Sequence, residues 1–143
     1  MEKKLNFLID TNIWLERLLD QQHSNDVKEL LETIPSDRLY ISDFALHSIG
    51  VILFRSKKPK LFYDFVDDLF GRGNLKLLSL NPYDQVDLIE LHIKNKFDFD
   101  DAYQYQVAAK YELTLVTFDA DFERRLKVKI VTPKEAILLF GKK

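Results

Sequence analysis

The chain has 143 residues, 46% hydrophobic and 31% charged, with no cysteine. That is the length of one domain spanning 1–143, large enough to bury a core without covalent or metal staples, and it excludes disulfide scaffolds, cysteine-based zinc sites, thiol nucleophiles and iron–sulfur centres. A formal net charge of −2 excludes a generic basic nucleic-acid coat protein but not a nucleic-acid enzyme, whose local patches matter more than the sum.

In chain order, Lys4 to Ile9 ends in the apolar run Phe7-Leu8-Ile9, which predicts a buried parallel strand. It stops at Asp10-Thr11-Asn12, loop and N-cap residues, and a helix follows to about Asp20. Ser24 to Ile34 is an amphipathic helix with Val27, Leu30, Leu31 and Ile34 on one face, stopped by Pro35. Leu39-Tyr40-Ile41 is a second strand, and Ser42 caps a helix running to about Arg55. After the basic turn Lys57-Lys58-Pro59-Lys60, Leu61 to Phe70 is a helix ended by Gly71-Arg72-Gly73. Leu75 to Leu80 is a third strand, and Asn81-Pro82 opens a helix to about Lys96. Phe97 to Asp100 is a loop, Asp101 to Tyr111 a helix, Leu113 to Val116 a fourth strand, and Asp119 to Arg125 a short helical turn. Val128 to Val131 is the last strand, and Thr132-Pro133-Lys134-Glu135 is a capping box for a terminal helix, Pro133 to Phe140. Five short strands alternating with helices predict an α/β fold with a mostly parallel sheet. No apolar run reaches the roughly 20 residues of a membrane span. The opening residues carry no signal-peptide pattern, so a cytoplasmic location is expected.

In such sheets ligands sit beyond the carboxyl ends of the strands. Asp10 follows the first strand; Asp119 and Asp121 follow the fourth, after Thr117; Asp101 opens the helix before it. Each aspartate has an ordinary use as a cap or turn residue. Their shared location is what points to chemistry. Converging carboxylates need a cation to coexist as anions, and oxygen ligands without cysteine suit Mg²⁺ or Mn²⁺. Two basic clusters offer phosphate contacts: Arg55, Lys57, Lys58 and Lys60, and Arg124, Arg125, Lys127 and Lys129. The ordinary reading of each is a solvated face, and Lys127 and Lys129 alternate with Val128 and Ile130 as outward positions of an edge strand do. Trp14, Tyr103 and Tyr105 are aromatic enough to stack on bases, but core packing is their commoner use.

Phe7-Leu8-Ile9-Asp10-Thr11-Asn12-Ile13-Trp14-Leu15 resembles the opening of PIN domains. Asp101-Ala102-Tyr103-Gln104-Tyr105-Gln106-Val107-Ala108 and Leu113 to Phe122 resemble their closing half. The likeness spans nearly the whole chain and is closest to small prokaryotic PIN proteins, which include the VapC-type toxins. It implies a three-layer α/β/α fold with a central five-stranded sheet, and a Mg²⁺- or Mn²⁺-dependent endonuclease for single-stranded RNA. It also implies a homodimer and a small inhibitory partner, an antitoxin. By the resemblance Asp10, Asp101 and Asp119 hold the metal, Asp121 assists, and Asn12 and Thr117 support. The chain departs from the family where a Glu is expected after the second strand: the position falls on Ser48, or on His47 in a register one residue away. No Glu occurs between Glu32 and Glu90. His47 or Ser48 substitutes, or Asp43, Asp98 or Asp100 reaches in, or the site holds metal weakly; in the last case the fold is a nucleic-acid or protein binding module. A phosphatase of haloacid-dehalogenase type needs an acid two residues after Asp10, where Asn12 stands. A dinucleotide enzyme needs a Gly-rich loop that is absent here.

Overall fold

The computed structural model describes residues 5–119 and 127–142. Five strands form one sheet in the order β3-β2-β1-β4-β5, every neighbouring pair parallel. They are β1 (Phe7–Ile9), β2 (Leu39–Ser42), β3 (Lys76–Leu78), β4 (Thr114–Val116) and β5 (Ile130–Val131). The helices are α1 (Thr11–Leu18), α2 (Ser24–Thr33), α3 (Asp43–Arg55), α4 (Pro59–Val66), α5 (Pro82–Asn95), α6 (Phe99–Lys110) and α7 (Pro133–Gly141).

β1 explains the layering. Its side chains alternate between two cores, and all three residues are fully buried, as a strand covered on both faces requires. Phe7 and Ile9 join α1, α2, α3, α4 and α7 through Ile13, Trp14, Leu30, Ile49, Phe65 and Ala136. Leu8 faces the opposite way and joins α5 and α6 through Leu88, Ala102, Val107 and Ala108. The result is a three-layer α/β/α sandwich.

Sequence signals and structure agree best at helix starts. The Ser42 hydroxyl accepts the Ala45 N–H at 3.0 Å. Thr132 and Glu135 close a reciprocal capping box, and so do Asn81 and Asp84. Differences lie where no cap announces the boundary. α6 begins at Phe99, two residues before the expected start, because Asp98 supplies a backbone carbonyl to Ala102 N–H and no side-chain cap. The helix expected over 61–70 begins at Pro59 and ends at Val66; residues 67–72 continue as one wide turn. That turn closes at Gly73, where a Cβ would stand 2.8 Å from the Leu69 carbonyl oxygen. β3 is shorter than expected, an edge strand with Lys76 exposed. The expected turn from Asp119 to Arg125 lies mostly outside the described residues.

β1 has β2 and β3 on one side and β4 and β5 on the other, so strand order reverses there. In open α/β sheets the carboxyl ends of the strands beside such a reversal are where ligands are held. Register brings the two ends level: Ile9 pairs with Val116, and Asp10 N–H reaches the Val116 carbonyl at 3.0 Å.

Candidate functional site

Asp10 directly follows β1 at this reversal and is only 8% exposed. It caps α1, with Oδ1 accepting the Thr11 N–H at 2.8 Å. The same oxygen accepts from Gln104 Nε2 at 3.0 Å, and Oδ2 accepts from the Thr117 hydroxyl at 2.7 Å. Capping is therefore one of its uses and not the whole of it. Thr117 in turn accepts the Asp119 N–H at 3.0 Å and, over a longer 3.4 Å, the Asn12 amide. With its oxygen filled by those two donors, the Thr117 proton is left for Asp10. Asn12 Oδ1 is buried without a hydrogen-bond partner among the described residues.

Asp101 sits in the first turn of α6, where the helix dipole favours an anion. Its carboxyl is nevertheless pushed up to about 7, by burial first and then by Asp100, Asp119, Asp10 and Asp98. Repulsion and desolvation outweigh the dipole. Four carboxylates therefore act on a fifth at this end of the sheet, and Asp98 and Asp100 are among them. Asp43 is committed elsewhere: its Oδ1 accepts from the Phe44 N–H and from the Tyr103 hydroxyl at 2.7 Å. Tyr103 accepts the Leu80 N–H, and burial together with Asp43 pushes its hydroxyl up to about 12.

The remaining candidates are spread over the surface. His47 is exposed and Ser48 half-buried, lining a shallow hollow on α3 with Phe44, Val51 and Ile52. Arg55, Lys57 and Lys58 lie at the far end of α3, about 18 Å from its start at 1.5 Å per residue. Lys127 and Lys129 are exposed on either side of buried Val128. Asp121, Arg124 and Arg125 lie outside the described residues. Trp14, Tyr103 and Tyr105 are core residues, 1%, 4% and 7% exposed.

Two residues were not singled out from the sequence as parts of the site. Gln104, 2% exposed, touches Asp10 directly. It stands three positions after Asp101 among the buried Ala102, Tyr103, Tyr105, Val107 and Ala108, and nothing in the sequence separates it from Gln106 two positions on. Phe99 is 54% exposed beside Asp98 and Asp100, its ring held 5.9 Å from Phe44 and 6.0 Å from Tyr103.

Among the described residues no three His, Cys, Asp or Glu side chains already stand close enough to cage a metal ion. Mg²⁺ does not require such a cage; it is commonly held by one or two carboxylates and keeps several waters. Among the described residues Asp10 retains one unfilled lone-pair sector on Oδ2, Asn12, which donates to Thr117, has an unpartnered oxygen, and the surrounding charge is negative. This all-oxygen donor set fits a hard divalent cation.

A family model described as the PIN domain matches residues 7–127. No curated protein sequence matches the chain. Solved structures with the same fold include a toxin–antitoxin complex from Klebsiella pneumoniae, at 19% identity over 90% of this chain and 98% of that one, TM-score 0.69. A second is VapC20 of Mycobacterium tuberculosis, a sarcin–ricin-loop-cleaving toxin, at 16% identity over 87% and 99%, TM-score 0.71. A third is DNA-bound VapBC of Salmonella typhimurium, at 20% over 91% and 99%, TM-score 0.68.

Proposed function

The chain belongs to the PIN domain family, and from that premise we propose that it is a metal-dependent endoribonuclease for single-stranded RNA, the toxin of a type II toxin–antitoxin pair, built as one domain over 1–143. The observation that carries this reading is the gathering of Asp10, Asp101 and Asp119 beyond β1 and β4, where burial first and then the charges of Asp100, Asp119, Asp10 and Asp98 push the Asp101 carboxyl to about 7. Such an excess of negative charge asks for a cation.

In this reading Asp10, Asp101 and Asp119 hold Mg²⁺ or Mn²⁺, and Asp121 supports them from the adjoining segment. When bound, the ion supplies Lewis-acid stabilisation to a phosphodiester under attack by water. The chain's own residues orient and bind. Thr117 and Asn12 fix the Asp10 carboxylate. Asp98 and Asp100 add charge in place of the family's Glu, while His47 and Ser48 stand on α3 without reaching the Asp10 hydrogen-bond network. Arg124 and Arg125 serve the phosphate backbone. Arg55, Lys57 and Lys58 meet a longer strand at the other end of α3.

Phe99 offers an exposed ring beside the acids, a platform for one unpaired base. Base–aromatic stacking is worth about 1–3 kcal/mol. Phe99→Ala is expected to raise the KM for a single-stranded RNA about fivefold to a hundredfold by that energy, with a smaller change in kcat. Steady-state kinetics on the two proteins reads this directly.

The partners are RNA, an antitoxin, and a second copy of this chain. No helix among the described residues is long and apolar enough to cross a membrane, and we place the protein in the cytoplasm. For the homodimer, α5 presents Tyr83, Val86, Ile89 and Ile93 on one outer face, each at least 60% exposed. An apolar stripe of this kind is commonly an interaction surface. Replacing Ile89 and Ile93 together by Lys is expected to convert the dimer to monomer in sedimentation velocity.

The test of the function is cleavage of a mixed-sequence single-stranded RNA with Mn²⁺ or Mg²⁺. Cutting that EDTA abolishes supports the nuclease. RNA binding with no cutting in either metal supports the binding-module reading, which Ser48 favours by standing where the family carries an acid.

A further inference from the structure

We propose that Gln104 is a positioning residue for Asp10: its buried amide, oriented from behind by Ser42, determines which lone pair of the carboxylate is offered to a divalent cation. The proposal rests on the metal-site reading of Asp10 given above.

The polarity of the chain of bonds starts at Asp10. Its carboxylate can only accept, so the Gln104 group that faces Oδ1 at 3.0 Å is Nε2, and Oε1 faces Ser42. Ser42 Oγ accepts the Ala45 N–H as the cap of α3 and donates its own proton to Gln104 Oε1 at 2.6 Å, which holds the amide in that orientation. Ser42 is fully buried and Gln104 nearly so, so no solvent competes for these groups. The relay ties three elements at one point: the end of β1, the β2–α3 junction 62 residues from Gln104's own position, and α6, 94 residues from Asp10.

A carboxylate has about four acceptor sectors. At Asp10 the Thr11 N–H and Gln104 fill both sectors of Oδ1, and Thr117 fills one of Oδ2. One sector remains. Without Gln104 a second sector opens on Oδ1, and the carboxylate plane loses its inward tether. The position does not need a polar side chain for packing. Asp100 and Asp101 lie one turn before it, while Tyr103, Tyr105, Val107 and Ala108 around and after it on α6 are apolar or aromatic and buried, and an unbranched apolar residue fills the same space. A buried Gln gives up rotamer freedom and solvation and is kept ordered only by its partners. Here both are site-directed: Asp10 itself, and the residue that turns the amide toward it.

Removing an outer-shell orienting group typically weakens metal affinity by about 10–100-fold. The experiment is Mn²⁺ binding by isothermal titration calorimetry to the wild-type chain, Gln104→Met, Ser42→Ala, Ser42→Thr and the Gln104→Met/Ser42→Ala double variant, with melting temperatures in EDTA. The expected result is a Gln104→Met protein that melts within a few degrees of wild type but binds Mn²⁺ at least about tenfold more weakly. Ser42→Ala weakens binding as well, Ser42→Thr restores it, and the double variant is no weaker than Gln104→Met alone, because both act through one relay. If Gln104→Met does not fold, the Ser42→Ala and Ser42→Thr pair decides by the same criterion. Wild-type affinity in Gln104→Met, or in Ser42→Ala where the Met variant is unfolded, overturns the proposal and leaves the metal site standing. A wild-type chain that takes up no Mn²⁺ overturns both together.

Discussion

Asp10→Asn is expected to lose metal-dependent RNA cleavage by at least about a thousandfold and to lose stability as well. The first loss follows from the several kcal/mol that a metal's Lewis-acid role is worth, at 1.36 kcal/mol per tenfold. The second follows from hydrogen-bond polarity. Asp10 receives three donors: the Thr11 N–H and Gln104 on one oxygen, and Thr117 on the other. An Asn offers one oxygen and one NH₂. If the NH₂ takes the inner place, it faces two N–H donors. If it takes the outer place, it faces a hydroxyl oxygen already accepting from Asp119 and Asn12. Turning Gln104 over would take away the acceptor of the Ser42 hydroxyl proton. A buried donor left without a partner costs about 1–3 kcal/mol. Denaturant melts in EDTA, read beside the cleavage assay, check both parts. A variant as stable as wild type contradicts the donor arrangement described here, even if it is inactive.

Asp101→Asn should behave in the opposite way, inactive but more stable near neutral pH. The Asp101 carboxyl sits at about 7 in the folded chain against an ordinary 3.8, through burial and then the charges of Asp100, Asp119, Asp10 and Asp98. Below the ordinary value both folded and unfolded chains hold this proton, and Asp101 contributes no pH dependence. Between about 4 and 7 the unfolded chain releases the proton while the folded chain keeps it, so stability falls as pH rises. Above about 7 the penalty is complete and constant. Discounted for solvent screening of a partly exposed group, it amounts to about 1–2 kcal/mol. Asp101→Asn removes it, raising the melting temperature at pH 8 by about 2–8 °C and leaving it nearly unchanged at pH 4. Mn²⁺ should stabilise the wild type at pH 8, and most of that gain should be absent from the variant. Differential scanning calorimetry at the two pH values, with and without Mn²⁺, distinguishes this from a uniform change in packing. Opposite stability signs at two inactive variants are expected because Asp10 is surrounded by donors and Asp101 by acids. A site kept at some cost to the fold is a common trade-off between activity and stability.

Asp10, Asp101, Thr117 and Asp119 could be placed from the sequence because each sits within three residues of a boundary with a short-range signature: an apolar run ending, a capping residue, a helix beginning. The caps at Ser42, Asn81 and Thr132 were legible for the same reason, since the bond that defines each spans three residues. The same reasoning placed the start of α6 two residues late, because Asp98 caps through its backbone carbonyl alone and leaves no side-chain mark. It also gave Trp14, Tyr103 and Tyr105 two possible uses, and only the layering, which buries all three, assigned them to the core.

By itself the sequence determined the order and type of the strands and helices, their side-chain caps, and that Asp10 and Asp119 follow strands, because these properties depend on neighbours a few positions away. The tertiary structure alone decided that Gln104 reaches Asp10 across 94 positions and that Asp43 is spent on Tyr103. Those relations depend on the register of β1 against β4 and on which face of the sheet each helix covers, and both are set by burial of the whole chain at once.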